Sequence, residues 1–301
     1  MSIIIYHKAT SEIDCPDGIV SAAIALGGQV ARGLDSYESI LIHGDVYKKT
    51  EEYGETPTSD YSFITAGQHL IIVDFCYPRS WLEYWQNLGV TIELLDHHEA
   101  KFGMLKGFVG AVLDKDQCGA TLSWRHWFED LDLPPLLHHV RRRDIGLDGY
   151  YKGLARDSEA VNESFGKWRH EHPDNGYKLK FAAAIFQLLL DKNSPSLIEK
   201  WRVEGLPRLV ERDRLIEVAL DRVRLIEFDA HQVPYLKVTE NEARHYSMIG
   251  ARLALLHPAC DFALIDTPDG SRHLRSTGFN VQPIAKKYGG DGHPQAAGFK
   301  L

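Results

Sequence analysis

The run Leu94-Leu95-Asp96-His97-His98-Glu99 sets an acid and two imidazoles side by side, directly after an apolar, strand-like segment at residues 90–95. Two further apolar runs in the same half of the chain lead to acids. Ile3-Ile4-Ile5-Tyr6 runs into His7, with Asp14 and Asp17 following, and Leu70-Ile71-Ile72-Val73 ends at Asp74. In an open α/β sheet, ligands bind beyond the carboxyl ends of the strands, so three strand ends would bring these groups to one point. Carboxylates with imidazoles suit a borderline divalent cation such as Mn2+. The chemistry such a set supports is metal-assisted hydrolysis.

The elements that must hold these residues are legible in the hydrophobic pattern. Strands are expected at residues 3–6, 39–43, 70–74 and 90–95, with helices at 19–26, 78–87, 119–128, 136–143 and 178–190. Strands alternating with helices predict a parallel sheet. Residues 46–67 are polar and turn-rich. Residues 196–228 carry charges interleaved with Ile, Leu and Val at helical spacing, which predicts a connecting helix, broken near its start by Gly205 and Pro207. From residue 231 the pattern is β-α-β: strands at 233–239 and 261–266 flank a helix at 245–257, and Thr267-Pro268-Asp269-Gly270 turns into a return strand at 273–276. A short helix at 284–288 leads into Gly289-Gly290-Asp291-Gly292-His293. The expected fold class is α/β, an N-terminal parallel-sheet domain over 1–195 joined by a helical connector, 196–230, to a smaller α/β domain at 231–301.

Bulk properties bound the function. A length of 301 residues accommodates two domains, and 44% hydrophobic with 25% charged residues is ordinary for a soluble globular protein. The formal net charge of -8 argues against a long duplex as partner, because phosphate would need a local basic patch or metals to offset it. Cys15, Cys76, Cys118 and Cys260 form no C-x-x-C pair and are too scattered for a disulfide framework, so a reducing, cytoplasmic setting is expected. The first residues lack a signal-peptide pattern. No uncharged run approaches the roughly 20 apolar residues of a membrane span, so no membrane partner is expected.

Asp96-His97-His98 and the terminal Gly289-Gly290-Asp291-Gly292-His293-Pro294-Gln295-Ala296-Ala297-Gly298-Phe299 together resemble the DHH phosphoesterase superfamily, in its oligoribonuclease and RecJ-like branch with a C-terminal DHHA1 domain. The pieces occur in the expected order and span nearly the whole chain. The resemblance implies a DHH catalytic domain, a DHHA1 substrate domain and a two-metal site between them, usually manganese, with Mg2+ or Co2+ also accommodated by the ligand set. It implies His7, Asp17, Asp74, His97 and Asp144 as metal ligands, with Asp74 bridging both ions. Asp96 and His98 would flank the site, Asp96 orienting a neighbour and His98 contacting phosphate or donating a proton. With Asp74, they form the expected catalytic set. Arg275, beside Ser276, would neutralise phosphate, Gly289, Gly290 and Gly292 would bring backbone N–H groups to an anion as a nest, and His293 would bond a terminal phosphate or the leaving oxygen.

Two departures bear on the site. The family often has two acids spaced D-x-D in its first motif, and aligning Asp17 with the second puts Cys15 where the first should be. Either Asp14 reaches the metal through a shifted loop, or Cys15 supplies a softer ligand, or the first site is weaker. Asp291 stands where the commoner pattern has a third glycine. Bland readings compete at several positions: Asp17 as a helix N-cap, and Asp144 in an ion pair with Arg141, Arg142 or Arg143, with Asp148 as a substitute ligand. His138-His139 lacks a preceding acid, and Trp81, Trp85, Trp124 and Trp127 at helical spacing read as core.

The function expected is hydrolysis of short oligonucleotides or linear dinucleotides to nucleoside monophosphates by a two-metal-activated hydroxide. The partners would be short single-stranded RNA or DNA, or small nucleotides, and the resemblance is compatible with a homodimer. Two alternatives stand beside it. One is a small-nucleotide phosphatase acting on substrates such as 3′-phosphoadenosine 5′-phosphate. The other, motivated by Cys15, is a catalytically weakened nucleotide-binding regulatory protein.

Overall fold

A computed structural model describes residues 1–8, 14–48, 53–145, 156–171 and 178–300, apart from the side chains of Glu38, Ala100, Asp291 and His293. The chain divides into two compact units, 1–206 and 207–301.

The first unit is built on five parallel strands: β1 (Ser2–His7), β2 (Ile40–Asp45), β3 (His69–Val73), β4 (Thr91–Asp96) and β5 (Ala111–Leu113). Their order is β2-β1-β3-β4-β5. β1 is apolar from Ile3 to Tyr6, all buried, as suits an inner strand of a parallel sheet covered on both faces. Its side chains still alternate: Ile4 and Tyr6 join one core with Ile71, Val73 and Leu95, whereas Ile3 and Ile5 join another with Leu70, Ile72 and Leu94. The first core is closed by helices α1 (Pro16–Ala31), α4 (Gly119–Trp127), α5 (Pro135–Asp144), α6 (Arg156–Glu171) and α7 (Lys178–Leu190). The second is closed by α2 (Arg79–Asn87), which buries Trp81 and Trp85, and by α3 (Glu99–Leu105). The tryptophan stripes are core, as their spacing predicts. The chain leaves β1 toward β2 and returns to β3 on β1's other side, so the order reverses between β1 and β3. That reversal is where open α/β sheets bind ligands.

α8 (Ser194–Leu220) runs through Pro207 without a break, against expectation. Its first half is anchored by Ile198 and Trp201 in the first unit's core, and its last turns by Ile216 and Ala219 in a core of the second. Those anchors offset the lost hydrogen bond and ring clash of an internal proline. The helical reading of residues 196–228 also extends too far, since Arg224–Phe228 is a strand, β6.

In the second unit, β6 is followed by β7 (His231–Lys237), α9 (Glu240–Ala243), α10 (Tyr246–Leu256), β8 (Ala263–Asp266), β9 (Ser271–Arg275), α11 (Gln282–Lys287), β10 (Asp291–His293) and β11 (Ala296–Lys300). The strands form one mixed sheet, β10-β11-β9-β8-β7-β6, with β7 and β8 parallel and the other pairs antiparallel. The unit is the smaller of the two, although its sheet has one strand more. The predicted hairpin at Thr267-Pro268-Asp269-Gly270 joins β8 to β9, with Gly270 at φ 83. No described helix is long and apolar enough to cross a membrane, and all four cysteines are free.

Candidate metal centre

Three adjacent strand ends supply the first groups. His7 closes β1, Asp74 is the first residue beyond β3, and Asp96 closes β4 ahead of His97 and His98. Asp74 holds a left-handed backbone, φ 56, with its N–H donating to the Leu95 carbonyl at 2.9 Å. A non-glycine residue in that region persists only when its surroundings enforce it, and such positions cluster at functional sites. Asp96 is fully buried, and its Oδ1 accepts the backbone N–H of His97 (2.8 Å), that of His98 (3.2 Å) and Nδ1 of His98 (2.7 Å). A carboxylate only accepts, so Nδ1 of His98 carries the hydrogen. These bonds turn both imidazoles onto the centre. Nε2 of His97 lies 3.0 Å from Asp74 Oδ1, 3.3 Å from Asp144 Oδ2 and 3.7 Å from Asp17 Oδ2. Nδ1 of His7 lies 3.6 Å from the other Asp74 oxygen, Oδ2.

Asp17 sits in the first turn of α1, but Cys15 is the residue at the N-cap position, which corrects the N-cap reading of Asp17. Its carboxylate reaches instead the start of α4, accepting the N–H groups of Gly119 (2.6 Å) and Ala120 (2.9 Å). Two glycines permit the approach. A Cβ on Gly18 would fall 2.2 Å from the His7 carbonyl oxygen, and one on Gly119 would fall 2.5 Å from Asp74 Cβ and 3.0 Å from Asp17 Oδ2. Gly119 lies outside the sequence-predicted site, and its one signal is the small-residue opening of a helix, Cys118-Gly119-Ala120.

Asp14 and Cys15 part company. The Asp14 carboxylate accepts the Tyr6 hydroxyl at 2.6 Å, and its backbone bridges to Lys8. Cys15 Sγ instead falls with His7 and Asp74, their ligand atoms all within 4.8 Å of one another. Two further groups meet the same limit: Asp74 with His97 and His98, and Asp17 with His97 and Asp144. His98, expected to act on phosphate, thus also lies at ligand distance. Asp144 ends α5 and faces His97, with a quarter of its side chain exposed. Asp148 lies outside the described residues. Beside Asp17 and Asp144, a cavity of about 200 Å3 is lined also by Cys15, Arg143 and Asn162. The Asn162 amide donates to the carbonyls of His139 and Ser158, and its buried Oδ1 has no hydrogen-bond partner.

Crowding like charges in a largely buried site sets the electrostatics. Burial and the Asp74 and Asp144 carboxylates push Asp17 well up, and burial and Asp74 push up Asp144. Burial would raise Asp74 as well, yet the imidazoles of His7 and His97 hold it far below the usual carboxylate range. Burial would lower His97, but its bond to Asp74 and the charges of Asp144 and Asp17 carry it to about 10. His98 is raised too, its desolvation outweighed by Asp96. A bound cation fits these residues on independent grounds. Three carboxylates converge on one imidazole, and the buried Asp74 Oδ2 and Asp96 Oδ2 accept no hydrogen bond.

Tyr47 has no precedent in the sequence reading, because it lies in a polar, turn-rich stretch with no periodicity. Its ring stacks on Phe75 at 4.4 Å and meets those of His7 (5.1 Å) and His98 (5.5 Å), and Lys101 Nζ lies 5.1 Å from its centre. It thus packs against both imidazoles and under the Lys101 ammonium of α3.

In the second unit, the guanidinium of Arg275 donates to Ser247 Oγ (3.2 and 3.1 Å), to the Leu274 carbonyl (2.9 Å) and to that of Ala297 (3.4 Å), above the Tyr246 ring. The Ser276 hydroxyl donates to the Phe279 carbonyl. Gly289 and Gly290 do not form the expected anion nest. Gly289, at φ 78, donates to Lys286 and Gly290 to Ala285, the paired bonds of a Schellman C-cap on α11. Gly292 crosses β11 so closely that a Cβ would meet Ala297 Cα at 2.5 Å. The side chains of Asp291 and His293 lie outside those described.

No family model matches the sequence. An uncharacterized protein of Acanthamoeba polyphaga mimivirus is 22% identical over 99% of this chain and 67% of its own length. Among solved structures, a DHH domain from a protein described as a member of a family of ribosomal proteins is similar over 99% of this chain and 82% of its own, at 13% identity and a TM-score of 0.59. A pGpG-specific phosphodiesterase from Vibrio cholerae is 12% identical over 100% and 92%, with a TM-score of 0.49. The likeness to the DHH domain is one of architecture: the chain has the DHH fold, with the Asp-His-His run at the end of its fourth strand.

Proposed function

We propose that this chain is a divalent-metal-dependent phosphodiesterase that hydrolyses short oligonucleotides or linear dinucleotides to nucleoside monophosphates, with Mn2+ as its working ion. The observation that carries this reading is the convergence of Asp17, Asp74 and Asp144 on His97, with one buried Asp74 oxygen left without a donor. Bound divalent ions would polarise the phosphoryl oxygens and lower the pKa of water toward neutrality.

The chain's own residues do the rest. His7, Asp17, Asp74, His97 and Asp144 would hold the ions. Asp74, with one oxygen toward His97 and the other toward His7, ties the two halves of the centre together. Asp96 fixes the ring of His98 through Nδ1 and so aims Nε2, which would contact phosphate or give a proton to the leaving oxygen. What supports catalysis over mere binding is the Asp96–His98 bond, which would leave Nε2 of His98 beside the ligand set as a proton donor. Arg275, Ser276, Gly292 and His293 are proposed to contact the substrate on the strength of the family resemblance, with Gly289 and Gly290 shaping the turn before them. A cytoplasmic setting and a homodimer belong to the same reading.

The test is product analysis with Mn2+ on 5′-phosphorylated RNA and DNA of two to about 20 nucleotides, on 3′-phosphoadenosine 5′-phosphate and on a cyclic dinucleotide. Monophosphate release from the shortest oligomers, abolished in Asp74→Asn, is the expected result. Hydrolysis of the bisphosphate nucleotide alone would replace this reading with a phosphatase. Inertness toward all of them, with a bound nucleotide, would make the protein a binder.

A further inference from the structure

The geometry points to Cys15 as a thiolate ligand of the metal position beside His7, giving that position an N, O, S set and the position beside Asp144 an N, O set. The inference rests on reading the centre as a metal site and deepens it, because the two positions would then prefer different ions.

Four observations carry it. First, Cys15 Sγ, a His7 nitrogen and an Asp74 oxygen lie within 4.8 Å of one another. Donors about 2.0–2.3 Å from one tetrahedral ion stand roughly 3.3–3.8 Å apart; His7 Nδ1 and Asp74 Oδ2 already lie 3.6 Å apart, so the group would close by about 1 Å at the sulfur to take an ion. Second, Asp74 is 1% exposed and its Oδ2, the oxygen facing His7, has no hydrogen-bond donor. A buried acceptor in want of a partner is what a cation there would satisfy. Third, the backbone pins Cys15. It precedes Pro16, which restricts it to extended conformations; it stands at φ -64 and ψ 130, and its carbonyl accepts the Ile19 N–H at 3.0 Å as α1 begins. The rigid start of a helix, not a pliant loop, therefore carries the sulfur. Fourth, the rival is engaged elsewhere: Asp14 accepts the Tyr6 hydroxyl.

Thiolate in place of carboxylate changes selectivity. Soft sulfur favours Zn2+, Co2+ and Fe2+, whereas Mg2+ and Mn2+ prefer oxygen. The His7 position should thus hold Zn2+, Co2+ or Fe2+ tightly, while the position formed by Asp17, His97 and Asp144 should still exchange Mn2+.

The experiment is anaerobic titration of the metal-free chain with Co2+, read by absorption. Wild type is expected to develop a near-ultraviolet sulfur-to-cobalt charge-transfer band. Cys15→Ser should lose the band and at least about tenfold in Co2+ affinity at one of two sites, since even outer partners of metal ligands are worth 10–100-fold. Cys118→Ser, which alters the neighbouring buried thiol, should keep the band. Cys15→Asp should bind two ions without it and shift preference toward Mn2+. A wild type that binds Co2+ with no such band, or a band that survives Cys15→Ser, overturns the assignment. So does failure to bind Co2+ at all, which removes the metal reading with it. The band together with inertness toward every phosphoester would leave Cys15 a ligand and overturn the proposed function alone. Hydrolysis without the band would do the reverse.

Discussion

At the residue scale, the donors around their oxygens distinguish two strand-end acids, Asp45 and Asp74. Asp45 Oδ2 accepts the hydroxyls of Tyr61 and Tyr77, whereas Asp74 Oδ2 accepts nothing. Sequence singles out Asp74, Asp96, His97 and His98 because strand ends with mixed acid and imidazole are unusual. It leaves Asp14 and Cys15 unresolved, because one residue of loop decides which side chain turns inward. Asp96 gives a direct test. Its Oδ1 gathers two backbone N–H groups and the His98 ring, so it acts through His98. Asp96→Asn is expected to lower kcat by about 10–100-fold, with two ions still bound by calorimetry; unchanged kcat would remove the orienting role. Gly119 gives the complementary test. A methyl there would press on Asp74 Cβ at 2.5 Å, and overpacking of this kind costs about 1–3 kcal/mol. Gly119→Ala should therefore lower Tm and weaken Mn2+ binding together, and normal Mn2+ affinity in that variant would show that the centre tolerates a shifted α4.

At the element scale, the strands and most helices are legible because apolar runs and their period survive in the sequence, and α7 spans the very residues expected, Lys178–Leu190. α6 is not legible. It buries Ser158, Glu159, Asn162 and Ser164 along with Val161 and Phe165, and fixes itself through polar bonds such as Ser164 Oγ to the Trp201 carbonyl at 2.8 Å. A helix held this way shows no clean apolar stripe. The glycine-rich C-terminal segment misleads in another sense, since two of its N–H groups serve α11. On β9, two residues before Arg275, His273 stacks on Tyr246 at 3.8 Å and is pushed down to about 4 by burial and by Arg275. The folded chain therefore holds a neutral imidazole where the unfolded chain takes up a proton below about 6.5. The stability this lends is present above that pH and is lost as pH falls toward 4. His273→Phe keeps a ring against Tyr246 and removes the titration. Urea midpoints between pH 7 and 4.5 should fall more steeply for wild type than for the variant, and parallel curves would mean that His273 does not couple protonation to folding.

At the scale of the whole molecule, charge limits the substrate. The chain carries a formal net charge of -8, so on the proposed function the phosphates of a bound strand, beyond those that ions and Arg275 would meet, would be repelled by the molecule as a whole. Length then brings repulsion without new contacts. Single strands lose affinity with salt at a slope of about -0.7 per neutralised phosphate. A protein built for short oligomers that neutralises one or two phosphates should therefore show log kcat/KM of a dinucleotide falling with log salt at a slope between about -0.7 and -1.4, and a shallower slope for longer strands, whose repulsion salt relieves. kcat/KM itself should decline as the oligomer lengthens from two nucleotides, and the decline should ease as salt screens the surface. Measuring kcat/KM across oligomer length at several salt concentrations checks both. A slope that steepens with length, with efficiency rising to the longest strand, would reveal a basic track for extended nucleic acid and would make the chain a processive exonuclease. The opposite trend would fit an enzyme that acts on the short products other nucleases leave.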